Sequence, residues 1–246
     1  MRLEDKIAII TGAGGDLGRG TALRLAEEGA RVVVNDIKLD RAEETVALVE
    51  KAGGEAIANA ADITDAEAVG GMVDQALGAW GQVDILVNNA GDIRDSLIAK
   101  MSEEAWDWVL DLNLKGSFLC TRAVVPHMIE RTSGRIVNLS SLAYKGNIGQ
   151  ANYVAAKSGI VGLTQASGLE FARYGISVNC VAPGLIDTPK AETLDDATRE
   201  RLVRMTPMRR MGEIVDIANT ILFLVSDEAK YVTRQVIHVS GGMEGF

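Results

Sequence analysis

Tyr153 and Lys157 stand four residues apart in the stretch Gln150-Ala151-Asn152-Tyr153-Val154-Ala155-Ala156-Lys157. On a helix this spacing puts both side chains on one face. A phenol with its ordinary pKa near ~10 is a poor base at neutral pH. An ammonium about 4 Å away stabilises the phenolate by roughly 4 kcal/mol at an effective dielectric of ~20. That predicts a phenol lowered by up to about three pKa units, able to exchange a proton with an alcohol oxygen near neutral pH. Ser140 and Ser141 end an apolar run twelve to thirteen residues earlier, where a hydroxyl would hold a substrate carbonyl against the phenol. No GxSxG elbow occurs, and neither His127 nor His238 adjoins these serines, which argues against a serine hydrolase. Two separated histidines also argue against a histidine metal site, so no metal is expected.

The elements that must position these residues alternate along the chain. Short β-branched runs occur at Ile7-Ala8-Ile9-Ile10, Val32-Val33-Val34, Ile85-Leu86-Val87, Ile136-Val137, 178–181 and Val236-Ile237-His238-Val239, with a weaker one at Ala56-Ile57-Ala58. Runs that do not alternate with polar residues are strands buried on both faces, as in a parallel sheet covered by helices. Amphipathic stretches at 17–28, 41–51 and 65–80 lie between them, the third with Thr64 as cap and Glu67 three residues on. This order predicts one doubly wound α/β domain spanning 1–246, a Rossmann-type parallel sheet of about seven strands with helices on both faces. The irregular stretch 185–212 holds Pro189, Pro207 and a polar helix candidate over 192–204; it is expected to be a substrate lid above the carboxyl ends of the strands.

The first strand ends in Thr11-Gly12-Ala13-Gly14-Gly15-Asp16-Leu17-Gly18 and a helix begins. Glycines there let the backbone turn tightly and approach a pyrophosphate at the helix N-terminus. Asp36 ends the second strand, where a carboxylate accepts both ribose hydroxyls of NAD and repels a 2′-phosphate. No Arg or Lys adjoins Gly14-Gly15 or directly follows Asp36, Lys38 being the nearest, so NAD is expected over NADP. Asp62 follows the third strand and is a candidate acceptor for the adenine amine. Asn88-Asn89-Ala90-Gly91 ends the fourth with residues too small to block a cofactor, and Pro183-Gly184-Leu185-Ile186-Asp187-Thr188 ends the sixth. Each of these is equally readable as a cap or a turn.

Composition narrows the class. Of 246 residues, 47% are hydrophobic and 24% charged, as in an ordered globular protein. The net charge of −9 disfavours a broad nucleic-acid surface and anionic membranes. Cys120 and Cys180, with no CxxC, read as buried thiols in a reducing compartment. The first residues carry no signal-peptide core and no run reaches the ~20 apolar residues of a membrane span, so a cytoplasmic protein is expected.

Taken together, the Thr11-Gly12 turn, Asp62, Asn88-Asn89-Ala90-Gly91, Asn113, Asn138-Leu139-Ser140-Ser141, Tyr153 with Lys157, Pro183-Gly184 and the ending Gln235 to Gly242 follow the order of the short-chain dehydrogenase/reductase family. The chain resembles that family over essentially its whole length, most of all its 3-oxoacyl-[acyl-carrier-protein] reductases and related NAD-linked alcohol dehydrogenases. The resemblance implies a catalytic tetrad. Tyr153 is the acid/base, Lys157 holds the nicotinamide ribose, a serine polarises the carbonyl, and Asn113 holds a relay water. Counting back thirteen from Tyr153 gives Ser140; aligning the strand through Asn138 gives Ser141, which is favoured because a strand fixes position better than a loop. The implied cofactor set is Gly12, Gly14, Gly15, Asp16, Leu17, Gly18, Asp36, Ile37, Asp62, Ile63, Asn89, Ala90, Gly91, Tyr153, Lys157, Pro183, Gly184, Ile186 and Thr188. Within it Gly12 and Gly18 line the pyrophosphate, Asn89 and Gly91 the adenosine side, and Ile186 and Thr188 the carboxamide.

The expected reaction interconverts a secondary alcohol and a ketone with NAD(H). Its substrate is a small-molecule alcohol or an acyl thioester, and the pocket is shaped by Ile93, Arg94, Leu142, Tyr144, Lys145 and 185–212. The alternative is an NADPH-dependent 3-oxoacyl-[acyl-carrier-protein] reductase, with Arg122, Arg131, Arg135 and Arg173 as a basic patch for an acidic carrier. A homotetramer is implied, pairing helices over 103–130 and 152–172 and the last strand. Asp16 stands where the family has glycine; it is expected to face solvent as a cap.

Overall fold

The computed structural model describes residues 1–189, 191 and 195–245. Seven strands form one parallel sheet: β1 (Ile7–Ile10), β2 (Arg31–Asn35), β3 (Glu55–Asn59), β4 (Ile85–Asn88), β5 (Gly134–Leu139), β6 (Ile176–Pro183) and β7 (Val236–Val239). Their order is β3-β2-β1-β4-β5-β6-β7. Chain direction across the sheet reverses between β1 and β4, which opens a crevice at their carboxyl ends.

Each strand feeds both faces, as period-two geometry requires. Ala8 and Ile10 of β1, Val32 and Val34 of β2, and Ile85 and Val87 of β4 pack on one side. Ile9, Val33 and Leu86, the residues between them, pack on the other. The first layer is closed by α1 (Asp16–Glu27), α2 (Leu39–Lys51) and, from the far end of the chain, α8 (Ile214–Val225), through residues such as Leu25, Val49 and Ile221. The second is closed by α3 (Ala66–Trp80) and α5 (Gly116–Glu130) through Met72, Leu119, Val124 and Met128. Each expected run lies within one of these strands, most of which extend past it by one or more residues, and the weak run proves to be a full edge strand.

Three local expectations are corrected. Asp65, not Thr64, caps α3: its Oδ1 accepts from the amides of Glu67 and Ala68, and Thr64 is drawn back onto Asp62. Asp16 is not a cap either. Gly15 holds the N-cap position with extended backbone, and Asp16 is the first helical residue of α1. The polar helix of 185–212 is α7 (Asp196–Met205), capped by Asp195; residues 190 and 192–194 of the expected span fall outside the described ones.

Two further helices carry the candidate chemistry. α4 (Glu103–Leu110) runs into α5 through one π-helical turn at Asp111–Lys115, and α6 (Ala151–Phe171) follows β5 and a 3₁₀ turn at Leu142–Lys145. π turns inside α-helices re-aim a side chain at the cost of backbone regularity. Here the re-aimed residue is Asn113, fully buried.

Candidate active site

The glycine turn leaves β1 with Gly12 at φ +62°. A Cβ there would approach Ala90 Cα to 2.8 Å, so the β1 and β4 loops lie backbone to backbone. Thr11 Oγ1 accepts from the amides of Asn89 and Ala90 at 3.1 Å each, and Asn89 Nδ2 donates to the carbonyls of Thr11 and Gly12 at 2.9 and 3.1 Å. A Cβ on Gly18 would collide with the Gly12 carbonyl and Asn89. Ala90 and Leu17 are half-buried against the two core layers.

Asp36 closes the β2 end of the crevice, 8% exposed, with Oδ1 accepting from the Lys38 amide at 3.0 Å. A Cβ on Gly14 would come within 2.7 Å of both Asp36 Oδ2 and Arg41 Cβ, and one on Gly15 would sit 3.9 Å from Arg41 Nη2. Arg19 donates to the Gly14 carbonyl at 3.2 Å. Two cations therefore flank the glycine turn in space, although none adjoins Gly14-Gly15 in sequence. Arg41 is remote in sequence and arrives because the first turn of α2 folds back over Gly14. Arg19 is committed to Thr45 and Glu44; the Arg41 guanidinium has no hydrogen-bond or ion-pair partner among the described residues. Ile37 is 66% exposed beside Asp36, and Asp62 Oδ1 is held by Thr64. Ile63 is buried, packed onto Gly116.

At the other end of the crevice, three consecutive residues of one strand end meet α6. Lys157 Nζ donates to the Leu139 carbonyl at 2.9 Å. Ser140 Oγ donates to the Lys157 carbonyl at 2.8 Å. Ser141 turns the other way: its hydroxyl accepts from the Ala143 amide at 3.2 Å and lies on the side of the Tyr153 phenol, whose proton affinity it lowers. The strand alignment thus identifies the serine beside the tyrosine. Asn152, fully buried, fixes the base of Tyr153 by accepting from its amide at 2.8 Å while donating to the carbonyls of Arg94 and Ala105.

Asn113 donates to the carbonyls of Asp92 and Val109 at 2.8 and 2.9 Å, which leaves its Oδ1 buried without a partner. A Cβ on Gly91 would collide with that oxygen and lie 3.2 Å from Lys157 Nζ. Gly91 thus stands beside Lys157 and Asn113, while Asn89 stands beside Gly12 and Gly18. Read from sequence alone, Asn113 was a surface amide; the π turn buries it, and an orphaned acceptor facing an ammonium is a place for a water.

Electrostatics correct the simplest expectation for the pair. The Tyr153 ring centre is 5.4 Å from Lys157 Nζ. Burial pushes the phenol up to about 12, opposed by the Ser141 hydrogen bond and reinforced by Asp92 and Asp95. Burial also brings the Lys157 ammonium down to about 8, opposed by Cys180 on β6. The sequence argument treated the two as half-solvated charges at contact. The structure buries Lys157 and half-buries Tyr153, and desolvation disfavours each charged form.

The β6 end supplies Pro183, Gly184 and Ile186. Gly184 permits approach of Ser240 Cα, Ile186 is 8% exposed and bridges to Gly212, and Thr188 accepts from the Ala191 amide through its backbone carbonyl. Leu202 of α7 packs with Leu142, Met243 and Leu185. Tyr144 Oη lies 3.0 Å from His238 Nε2, a tie to β7 that no spacing in the sequence signals.

Comparison with known proteins agrees with this geometry. A family profile described as "Enoyl-(Acyl carrier protein) reductase" matches residues 12–244. The chain is 47% identical over 246 residues to the (2S)-[(R)-hydroxy(phenyl)methyl]succinyl-CoA dehydrogenase subunit BbsD of Thauera aromatica, covering 100% of this chain and 99% of that one. It is 46% identical over 240 residues to the 3-oxoacyl-[acyl-carrier-protein] reductase FabG of Staphylococcus aureus, covering 97% and 98%. The crystal structure of levodione reductase superposes with a TM-score of 0.94 at 34% identity, covering 99% of both chains. No helix among the described residues is long and apolar enough to cross a membrane. In sequence and in fold, the chain belongs to the short-chain dehydrogenase/reductase family of oxidoreductases.

Proposed function

We propose that the protein interconverts a secondary alcohol and a ketone with NAD(H) in the crevice between the β1 and β6 ends. The observation that carries this reading is the convergence of Ser141, Tyr153, Lys157 and the orphaned Asn113 Oδ1 on one strand-end cluster. The residues fit a dinucleotide: Gly12, Gly14, Gly18 and Gly91 form a cradle that any Cβ would fill, and it ends at a carboxylate on one side and an ammonium on the other. When bound, the nicotinamide supplies the hydride acceptor or donor.

Asp36 binds the ribose hydroxyls at the adenosine end. Ser141 holds the carbonyl or alcohol oxygen, and Tyr153 gives or takes its proton. Lys157 and a water on Asn113 Oδ1 restore that proton. The Lys157 ammonium has two N–H donors beyond the one on the Leu139 carbonyl, and with these it would hold a ribose while its positive charge favours the phenolate. This is how a tyrosine that is inert alone becomes competent with cofactor in place. The segment around α7 closes over Leu142 as a lid. Both acyl-thioester relatives favour a thioester substrate carrying a hydroxyl or oxo group at the neighbouring carbon.

A second reading, an NADPH-dependent carrier-protein reductase, is favoured by one observation: the Arg41 guanidinium beside Gly15, with no partner among the described residues, is a counter-charge for a 2′-phosphate. A homotetramer goes with either reading, since Phe118 on α5 and Leu169 on α6 are 44% and 65% exposed. A substrate panel followed by NADH absorbance in both directions, with NADPH in parallel, tests the proposal. Loss of all turnover in Tyr153→Phe with NADH binding retained is expected. Activity in that variant within about tenfold of the native enzyme removes Tyr153 from its role.

A further inference from the structure

Two adjacent serines follow β5, and the chemistry proposed above uses only Ser141. Ser140 is 4% exposed, so its hydroxyl is not free to reach a substrate. Its Oγ donates 2.8 Å to the Lys157 carbonyl, while the Leu139 carbonyl accepts 2.9 Å from Lys157 Nζ. One lysine is thus gripped at its root and at its tip by neighbouring residues of one strand. The Ser140 amide is itself tied to Val181 of β6 at 2.8 Å, so the grip rests on the rigid sheet and not on a loop.

The root bond is unusual in what it holds. Lys157 lies in the second turn of the 21-residue α6, where its carbonyl already accepts a helical amide. The second bond from Ser140 adds little to helix formation. What it does is pin one particular turn of α6 against the end of β5. A four-carbon stem multiplies any slip of its root at the tip, and the tip is the atom that faces Gly91 and the orphaned Asn113 oxygen. We propose that Ser140 is a positioning residue, whose hydroxyl fixes the turn of α6 that carries Lys157 and so sets where the ammonium stands. The proposal rests on the reading of Lys157 as part of the proton path. The other ionisable groups facing this ammonium are the Tyr153 phenol on α6 and the Cys180 thiol on β6.

The test is Ser140→Ala. It removes the hydrogen bond to the Lys157 carbonyl, which keeps its helical amide, and takes a hydroxyl from beside the Cys180 thiol, which keeps Thr164; folding and NADH affinity are expected to stay near native. Two readouts move if the proposal holds. The kcat falls about tenfold with cofactor KM little changed, and its pH profile shifts by about half a unit or more. The titration of Lys157, followed by NMR on protein labelled with 13C at lysine Cε and assigned with Lys157→Met, moves by a similar amount because the loosened ammonium meets a different environment. Ser140→Thr, which keeps the hydroxyl, returns both readouts towards native. A Ser140→Ala protein whose Lys157 titration and kcat both match the native protein overturns the proposal. The lysine titration is read without substrate, so it decides the matter even if no alcohol or ketone is turned over; absence of turnover counts against the reaction alone.

Discussion

Lys157 holds the carbonyl of Leu139 and stands 5.4 Å from the centre of the Tyr153 ring, so in the free protein the ammonium serves the strand and not the phenol. Lys157 is buried and Tyr153 half-buried, and each is pushed towards its neutral form. The pair is a resting arrangement with its charges discouraged.

A stability consequence follows for Lys157. Its pKa is about 8 in the folded protein against an ordinary 10.5, so between these values the unfolded chain binds more protons and stability rises with pH. Below about pH 8 the folded state carries the whole penalty, of order 3 kcal/mol. Lys157→Met removes the penalty but leaves the Leu139 carbonyl unpaired, which costs about 1–2 kcal/mol. The variant should melt about 3–6 °C above the native protein at pH 7. That gap should shrink as pH is raised through 8 towards 10.5. A gap independent of pH contradicts the burial penalty.

Tyr153 makes the complementary prediction. Burial places its phenol near 12, so phenolate absorbance in the free protein should not include this residue below about pH 11. The difference between the titrations of native protein and Tyr153→Phe measures it directly. A phenolate lost from the Tyr153→Phe curve near neutral pH would show that the ammonium already governs the phenol without cofactor.

Much of this was legible in the sequence, and the illegible parts share a cause. Buried parallel strands declare themselves as unbroken runs such as Ile7–Ile10, and Tyr153 with Lys157 needs only helical periodicity. The position of Ser141 beside α6, rather than its role, also followed from strand register. What the sequence hid depends on how elements fold onto one another. Arg41 is 26 positions beyond Gly15 yet lies against it. Asn113 looks like a surface amide until a π turn rotates it inward. The pair's acidity failed because spacing gives proximity and says nothing of desolvation, which here decides the sign for Tyr153.

Cofactor choice should behave as a contest between Asp36 and Arg41. Asp36→Ala should raise NADPH affinity and weaken NADH, since the carboxylate both accepts ribose hydroxyls and repels a 2′-phosphate. Arg41→Ala should weaken NADPH about tenfold or more and leave NADH within about threefold, because the guanidinium has no other partner to support. Fluorescence titrations of both variants and the double variant measure each term. Equal loss of both cofactors in Arg41→Ala would assign that residue to the shape of the turn instead.

Asp16 tests whether the glycine turn is tuned for weak binding. It is the first residue of α1, half-buried, and makes no capping hydrogen bond. Its charge favours the helix dipole by about 0.3–1 kcal/mol, yet it stands at the helix end that receives a pyrophosphate. Since Gly15 already caps the helix, the charge has no hydrogen-bonding duty to offset its repulsion. Asp16→Asn keeps the shape and removes the charge. It should lower Tm by no more than about 2 °C and tighten NADH by about threefold, with the gain shrinking at high salt. Affinity unchanged at low salt would mean that solvent already screens the carboxylate from the dinucleotide.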